Sequence, residues 1–169
     1  MIEGASIRLR AWQERDLYLL QTLRNDVVLQ AQLLAHARGS DVEQVRTWLH
    51  RRSNGADCLF FVVANQGDDA ALGFIQFLGV DSTDRRADLG ICLARDAQGR
   101  GTGTEAITLA LPHLVQTFGT RKVNLQVRAD LERAIRCYER MGFQRCGLYR
   151  KHFGSGDEWH DVLLMELLL

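Results

Sequence analysis

One stretch of the sequence, residues 88–107, restricts the fold more than any other. It starts as an apolar strand pattern, continues as the loop Gln98-Gly-Arg-Gly-Thr-Gly103 and ends with the periodicity of an amphipathic helix. Three glycines in five positions leave the backbone N–H groups of the loop uncovered, and the first turn of a helix has about four amides without intrahelical acceptors. Because a helix N-terminus also carries a partial positive charge, this stretch predicts a site for a phosphate-type anion.

The rest of the chain alternates between strand and helix patterns. Helical spacing of apolar residues predicts four helices. The first covers residues 17–27, and the second runs from the N-cap Asp41 to a break at 51–57. The third covers about eighteen residues after the glycine loop, with a kink or a weakened turn at Pro112, and the fourth covers residues 131–141. Runs rich in strand-forming residues predict strands at 7–10, 59–64, 72–80, 87–93, 122–127, 143–150 and 159–168, the last two joined by a hairpin tip at 154–156. Without repeats or linkers, these patterns indicate one α/β domain over residues 1–169 with an antiparallel-rich sheet.

Composition narrows the classes of partner. The 21 basic and 21 acidic residues cancel, so no overall field attracts the chain to nucleic acid or to an anionic membrane, and we expect neither partner. The N-terminus lacks a long apolar run, so we expect no signal peptide or membrane span. Four cysteines without CxxC or zinc-type spacing predict reduced core thiols in a cytoplasmic protein, and five histidines without ligand spacing predict no metal site.

Two nucleotide-binding motifs compete for the glycine loop. A P-loop requires Lys after its last glycine, where this chain has Thr104, so that motif fails. A dinucleotide fingerprint is met at Gly99 and Gly101 but not at Thr104, although Asp130 fits its acidic position. Only about 40 residues follow Asp130, which is too few for a second nucleotide-binding half. The pattern that fits without omission is Gln-x-x-Gly-x-Gly, from Gln98 to Gly103.

On this motif the chain resembles the GNAT superfamily of N-acetyltransferases, whose pyrophosphate loop has the form Gln/Arg-x-x-Gly-x-Gly/Ala. The resemblance extends over nearly the whole length. Residues 7–10 with 16–17 resemble the family's opening strand and helix, and residues 86–91 its fourth strand. Residues 134–143 carry the "AI..YE..GF" motif, and residues 156–165 resemble the tail of the branch of ribosomal-protein N-terminal and spermidine acetyltransferases. The resemblance implies a mixed, mostly antiparallel central sheet of about seven strands with about four helices.

The resemblance also implies a mechanism with acetyl-CoA as co-substrate. The strand before the loop would bind the pantetheine arm through the backbone of Ile91, Cys92 and Leu93, like an added strand. The pyrophosphate would lie on the loop, for which the implied residues are Gln98, Gly99, Arg100, Gly101, Thr102, Gly103 and Thr104. A neutral amine would attack the acetyl carbonyl directly, without a covalent enzyme intermediate. Tyr138 would protonate the departing thiolate, because its ordinary pKa of about 10 keeps it protonated at neutral pH.

The sequence identifies the general base, which would remove a proton from the amine, less clearly than the general acid. Asp88 is the nearest candidate by resemblance, while Asp84, His152 and His160 are weaker candidates, and a mechanism without a dedicated base also stays open. The family often has Asn at the head of the last helix, where this chain has Leu131. Either the neighbouring Asp130 takes over as helix cap, or that contact is absent.

Simpler explanations exist for the same residues. A capping box of Thr102 and Glu105 would make the loop an ordinary strand–helix connection and would occupy one amide. Tyr138 lies on the apolar stripe of its helix, where a tyrosine is ordinarily a core residue. Asp88 could pair with a neighbouring arginine on an exposed strand end.

The sequence alone therefore leaves more than one acceptor amine and more than one function open. The acceptor amine is a small molecule or a peptide: a protein N-terminus, a polyamine or an amino sugar. We expect its selection to depend on the first two helices, the loop around residues 28–40 and the last hairpin. By resemblance the chain could form a homodimer. The other functions left open are a non-catalytic acyl-CoA-binding or interaction module of the same fold and an NAD-binding oxidoreductase.

Overall fold

The computed structural model describes all 169 residues and contains one eight-stranded sheet and five α-helices. The strands are β1 (Ile2–Glu3), β2 (Ile7–Arg10), β3 (Cys58–Asn65), β4 (Ala71–Asp81), β5 (Arg86–Leu93), β6 (Lys122–Arg128), β7 (Gln144–Ser155) and β8 (Glu158–Leu168). The helices are α1 (Leu17–Asn25), α2 (Val27–Gln32), α3 (Val42–Asn54), α4 (Thr102–Phe118) and α5 (Glu132–Arg140). No helix is both long and apolar enough to cross a membrane.

The strand order is β1-β2-β3-β4-β5-β6-β8-β7, and every neighbouring pair is antiparallel except β5 and β6. The parallel pair is connected by α4, as a crossover between parallel strands requires. The predicted mixed, mostly antiparallel α/β fold is therefore confirmed. The expected seven strands and four helices differ from the observed numbers by the two-residue β1 and by the short α2.

The helix predicted over residues 17–27 is two helices. α1 ends at Asn25, and Asp26 takes an extended conformation in which its carboxylate accepts a hydrogen bond from the Leu29 N–H at 2.9 Å. An aspartate is a good N-cap, so it starts α2 where helical periodicity alone continues α1. Val27, predicted to lie on the apolar stripe, is exposed. In contrast, Asp41 caps α3 as predicted, and α4 is helical on both sides of Pro112.

The last hairpin turns later than predicted. Ser155 pairs with Glu158, so the tip is formed by Gly156 and the residue after it, and Gly154 belongs to β7. The strand is irregular between Tyr149 and Phe153, where the pairing register shifts. The tip was misplaced because Gly154 and Ser155, although they are common turn residues, pair with Trp159 and Glu158 and so extend β7.

Two apolar clusters lie on opposite faces of the sheet. The larger contains buried residues of α4 and α5, such as Leu114 and Ile135, and the smaller contains buried residues of α1 and α3. The neighbouring residues Val62 and Val63 of β3 belong to different clusters, as the alternation of a strand requires. The sheet is thus covered on both faces, and the site described below is at the middle of the sheet.

Candidate active site

A cleft of about 820 Å³ opens where β5 and β6 separate. The two parallel strands pair at only three positions, the last of which joins Asp88 to Asn124. Beyond this point β5 pairs with β4 and β6 pairs with β8. The edge of β5 that faces β6, from Leu89 to Leu93, therefore has no strand partner and lines the cleft.

The glycine loop presents free backbone donors at the end of this cleft, which Gln98 and Gly103 line. α4 begins after Gly101, whose φ of 87° is in the left-handed region and which provides no side-chain cap. None of the N–H groups of residues 99–104 donates a hydrogen bond within the chain. The donors on which the anion-site prediction depends are therefore uncommitted.

The alternative explanation of the loop, a capping box between Thr102 and Glu105, is wrong. The Glu105 carboxylate accepts a hydrogen bond from the Ser6 N–H at 2.9 Å and another from the Ser6 hydroxyl. It thereby connects the loop between β1 and β2 to the first turn of α4. Because the donors to this carboxylate are Ser6 and Ile7, and α4 has no side-chain cap, it does not compete with a ligand for the amides of the glycine loop.

The loop is also fixed to β5 and lies against α5. The Gln98 side-chain amide donates a hydrogen bond to the Leu93 carbonyl at 2.9 Å, so this glutamine anchors the loop to the end of β5. A Cβ on Gly103 would lie 3.6 Å from the Leu93 side chain, an ordinary contact. A Cβ on Gly99 would lie 2.9 Å from a guanidinium nitrogen of Arg133, which places a cationic side chain directly beside the loop.

Tyr138, on α5, lines the cleft. Its ring packs edge-on against Phe143 with centroids 5.8 Å apart. Burial, with a smaller contribution from Cys137, raises the pKa of Tyr138 to about 12. The phenol is therefore protonated at neutral pH. The ring of Tyr138 packs in the core, while its exposed side lines the cleft. The two explanations from the sequence, a core residue and a general acid, are therefore compatible.

Asp88 lines the same cleft from the other face of the sheet. On β5, Leu89 and Leu93 belong to the cluster of α4 and α5, whereas Cys92 belongs to the cluster of α1 and α3. Strand alternation therefore places the Asp88 side chain on the face of α1 and α3. Its carboxylate accepts a hydrogen bond from the Asn124 amide at 3.3 Å and has no arginine partner.

The weaker base candidates lie elsewhere. Asp84 pairs with Arg86 at 3.6 Å on the exposed turn before β5. His152 packs against Tyr149 on the outer strand β7, and His160 lies 3.7 Å from Glu158. None of these three candidates lines the cleft.

The start of α5 lacks a side-chain cap. Leu131 occupies the N-cap position and lines the cleft. The Asp130 carboxylate instead binds Arg128, with Nε 3.0 Å from one oxygen. This hydrogen bond, partly opposed by burial, lowers the pKa of Asp130. Of the two sequence-based possibilities, capping by Asp130 is wrong.

The four cysteines are free, but only Cys92 is buried, so the prediction of core thiols holds for one of them. Its side chain packs on the face of α1 and α3, and burial raises the pKa of Cys92 to about 12. This thiol therefore stays protonated and is not a nucleophile in the cleft. No three His, Cys, Asp or Glu side chains are grouped as metal ligands.

Several residues of the cleft were not predicted from the sequence. Gln76 on β4 lines it with a buried side-chain oxygen that has no hydrogen-bond partner. Arg24 and Arg52 line it from α1 and α3. None belongs to a local motif, and only the expectation that the first helices select the acceptor pointed towards the two arginines.

Comparison with known proteins identifies the family over most of the chain and the same fold over nearly all of it. Residues 6–144 match the family model described as acetyltransferase (GNAT) domain. Spermidine N(1)-acetyltransferase of Escherichia coli (strain K12) is 24% identical over 168 residues, covering 98% of this chain and 87% of that protein. Mycothiol acetyltransferase of Rhodococcus erythropolis is 37% identical over 84 residues, half of this chain and 23% of that protein.

A solved structure of spermidine N-acetyltransferase from Vibrio cholerae, in complex with CoA and spermine, superposes with a TM-score of 0.89. It is 21% identical in sequence, and the match covers 98% of this chain and 96% of that chain. At this identity the likeness concerns the fold.

Proposed function

The chain belongs to the GNAT acetyltransferase family, and from this premise we propose that its cleft transfers the acetyl group of acetyl-CoA directly to the amine of a small acceptor. The observation that carries the proposal is the combination of free loop donors with an unpaired strand edge and a protonated tyrosine in one cleft. Each of these features suits one part of the reaction: the donors suit a diphosphate, the strand edge suits an amide-containing arm, and the phenol suits protonation of a departing thiolate.

The residues of the coenzyme site fit the group that they would hold. The N–H groups of residues 99–104 suit a diphosphate, with the guanidinium of Arg133 beside them. The free edge of β5 from Ile91 to Leu93 suits an extended amide-containing arm, which hydrogen-bonds as a strand does. The side chain of Gln98 acts by positioning the loop.

The chemical roles divide between the two faces of the sheet. Acetyl-CoA supplies an acetyl group on a thioester, whose carbonyl carbon is electrophilic. Asp88 accepts a proton from the attacking amine, directly or through water, and Asn124 holds its carboxylate. Tyr138 donates its proton toward the leaving sulfur, and its raised pKa ensures that the proton is present.

More than one amine is a candidate for the acceptor. The relatives include spermidine acetyltransferases, which makes a polyamine one candidate, and a peptide N-terminus is another. We further propose that residues 1–169 act as one domain in the cytoplasm, where four unpaired cysteines persist as thiols. We also propose that the chain forms a homodimer. A related spermidine N-acetyltransferase from Vibrio cholerae has been solved as a dodecamer.

The test is thiol release from acetyl-CoA in the presence of a panel of amines that includes spermidine, amino acids, a peptide and an amino sugar. We expect amine-dependent release with at least one member, with the acetyl group recovered on the nitrogen. Binding of acetyl-CoA without release on any amine would indicate the non-catalytic module instead. Failure to bind acetyl-CoA would remove the proposal.

A further inference from the structure

Two arginines line one end of the cleft, on the face of α1 and α3, and a third, Arg38, is close enough to repel Arg24. Arg24 on α1 and Arg52 on α3 line the cleft, and Arg38 lies in the segment between α2 and α3. No carboxylate lies within salt-bridge distance of any of the three. The chain has as many acidic as basic residues, so the lack of partners is a local property of this face.

Arg24 is held in place without being neutralised. Its guanidinium carbon lies 4.4 Å from the centre of the Trp48 ring, a cation–π geometry. Its Nε is buried and donates no hydrogen bond. Burial, followed by repulsion from Arg52 and Arg38, lowers the pKa of Arg24. A buried donor without an acceptor is unfavourable, and so is a cluster of like charges, unless a ligand supplies the missing anion.

The arginines share one wall of the cleft with the proposed amine site. Gln76 pairs with Gly90, and Phe74 pairs with Cys92, all on the face where Asp88 also lies. The Phe74 ring packs 5.3 Å from Trp48, on which Arg24 is stacked. The wall therefore leads from Asp88, past the unpartnered oxygen of Gln76, to the cationic end at Trp48.

The other charges of the cleft do not favour a polycation. Its only acidic residues are Asp88 and Glu166, and Glu166 pairs with Lys122. Two acidic residues thus face three basic ones, Arg24, Arg52 and Lys122. A second ammonium group, as in a diamine, would meet arginines where it needs carboxylates.

We propose that the natural acceptor is an amine that also carries an oxyanion, with its amine at Asp88 and Gln76 and its oxyanion on Arg24 and Arg52. The inference rests on the proposed acetyl transfer and specifies the substrate class of the same cleft. Carboxylates and phosphates share the required chemistry, since both match the fork of guanidinium donors. The apolar part of the acceptor would lie against Leu33, Phe74 and Leu78, which line the cleft between the charged groups.

The test compares amines of one chain length that differ only at the far end. The set is 6-aminohexanoate, 6-aminohexyl phosphate, hexylamine and 1,6-diaminohexane, each with shorter and longer homologues, and kcat/KM is measured with the wild-type chain. We expect one of the two anionic series to be the best, and which one it is identifies the oxyanion. A higher kcat/KM for the diamines or for spermidine would overturn the inference while leaving acetyl transfer intact.

Variants show whether the arginines are responsible. Arg24→Gln and Arg52→Gln should each lower kcat/KM for the anionic acceptors by about tenfold to a hundredfold, the effect of losing a charged hydrogen bond, and leave hexylamine unchanged. Arg24→Glu should shift the preference toward the diamine. Arg51→Gln is the control, because Arg51 is the neighbour of Arg52 on α3, is exposed and does not line the cleft. An equal loss on all amines would mean that the arginines are only structural.

Binding measurements keep the inference testable without turnover. The affinities of 6-aminohexanoate and hexylamine are compared by calorimetry for the wild-type chain and Arg24→Gln. If no amine is acetylated but the carboxylate binds more tightly and loses that advantage in Arg24→Gln, acetyl transfer fails and the oxyanion site stands. Equal affinities of the two amines would overturn the oxyanion site.

Discussion

Tyr138 shows how a single residue serves the core and the chemistry together. Its ring packs on Phe143 while it lines the cleft. Tyr138→Phe keeps the ring and removes only the proton donor, so we expect kcat to fall by roughly 10²–10⁴ with little change in coenzyme affinity. Steady-state kinetics together with acetyl-CoA titration checks this. Unaltered turnover would exclude Tyr138 from the chemistry.

Asp88 leads to a prediction about pH. A base is needed only while the acceptor amine carries its proton, so Asp88→Asn should lower kcat/KM most at low pH, by about 10² or more. The loss should shrink as the pH rises toward the amine's own pKa, because the amine then arrives neutral. The measurement is a pH profile of kcat/KM for both proteins.

Asp84→Asn provides the matched control for Asp88. Asp84 lies four residues earlier, pairs with Arg86 and is outside the cleft, so its profile should coincide with that of the wild-type chain. A constant loss across the pH range in Asp88→Asn would indicate that Asp88 positions the substrate and does not accept a proton.

At the scale of elements, local signals were predictable and distant partners were not. The glycine loop before α4 was evident because its donors and its helix start are adjacent in sequence. The role of Glu105 was not, because its partner Ser6 is 99 residues away. The break between α1 and α2 was missed for a different reason, since the cap Asp26 lies inside a run that remains apolar and helical in period.

Glu105 makes the link between the β1–β2 loop and α4 sensitive to acid. Burial alone would raise the pKa of Glu105, but the hydrogen bonds from Ser6 and neighbouring amides hold it below its ordinary value of 4.5. A carboxylate with a lowered pKa stabilises the fold fully above its unfolded-state pKa, and the contribution is lost as pH falls through the folded-state pKa. Glu105→Gln should therefore be less stable than the wild-type chain near neutral pH, with the difference shrinking below about pH 4.5.

Urea unfolding of both proteins over a pH series measures this difference. Glu43→Gln is the control, because Glu43 is exposed and bonds only Arg46 within α3, a type of pair worth about 0.2–0.5 kcal/mol. A Glu105→Gln difference that stayed constant into acid would show that the carboxylate charge does not hold the link.

At the scale of the molecule, successive strand patterns separated by short polar turns were sufficient to predict a sheet rich in antiparallel pairs, such as β3–β4, β4–β5 and β7–β8. The composition of the cleft was not predictable in the same way. Arg24, Arg52 and Gln76 come from three elements, and their convergence depends on how α1 and α3 pack against β4. The acceptor site is therefore a product of tertiary structure, whereas the proposed coenzyme site is largely encoded in one continuous stretch.

The two halves of the sheet, β1–β5 and β6–β8, are joined by only three residue pairs, between β5 and β6. A coenzyme bound along the free edge of β5 and on the loop would connect these halves. A ligand of the native state at about 100 times its Kd adds about 2.7 kcal/mol, and for a chain of this size each kcal/mol raises Tm by roughly 2–4 °C. Acetyl-CoA should thus raise Tm by about 5–11 °C and slow hydrogen exchange in residues 89–93 and 99–104.

NAD also carries a diphosphate but lacks the long amide arm, so it should give a much smaller shift. Equal shifts from the two ligands would mean that the loop binds diphosphates without help from the β5 edge.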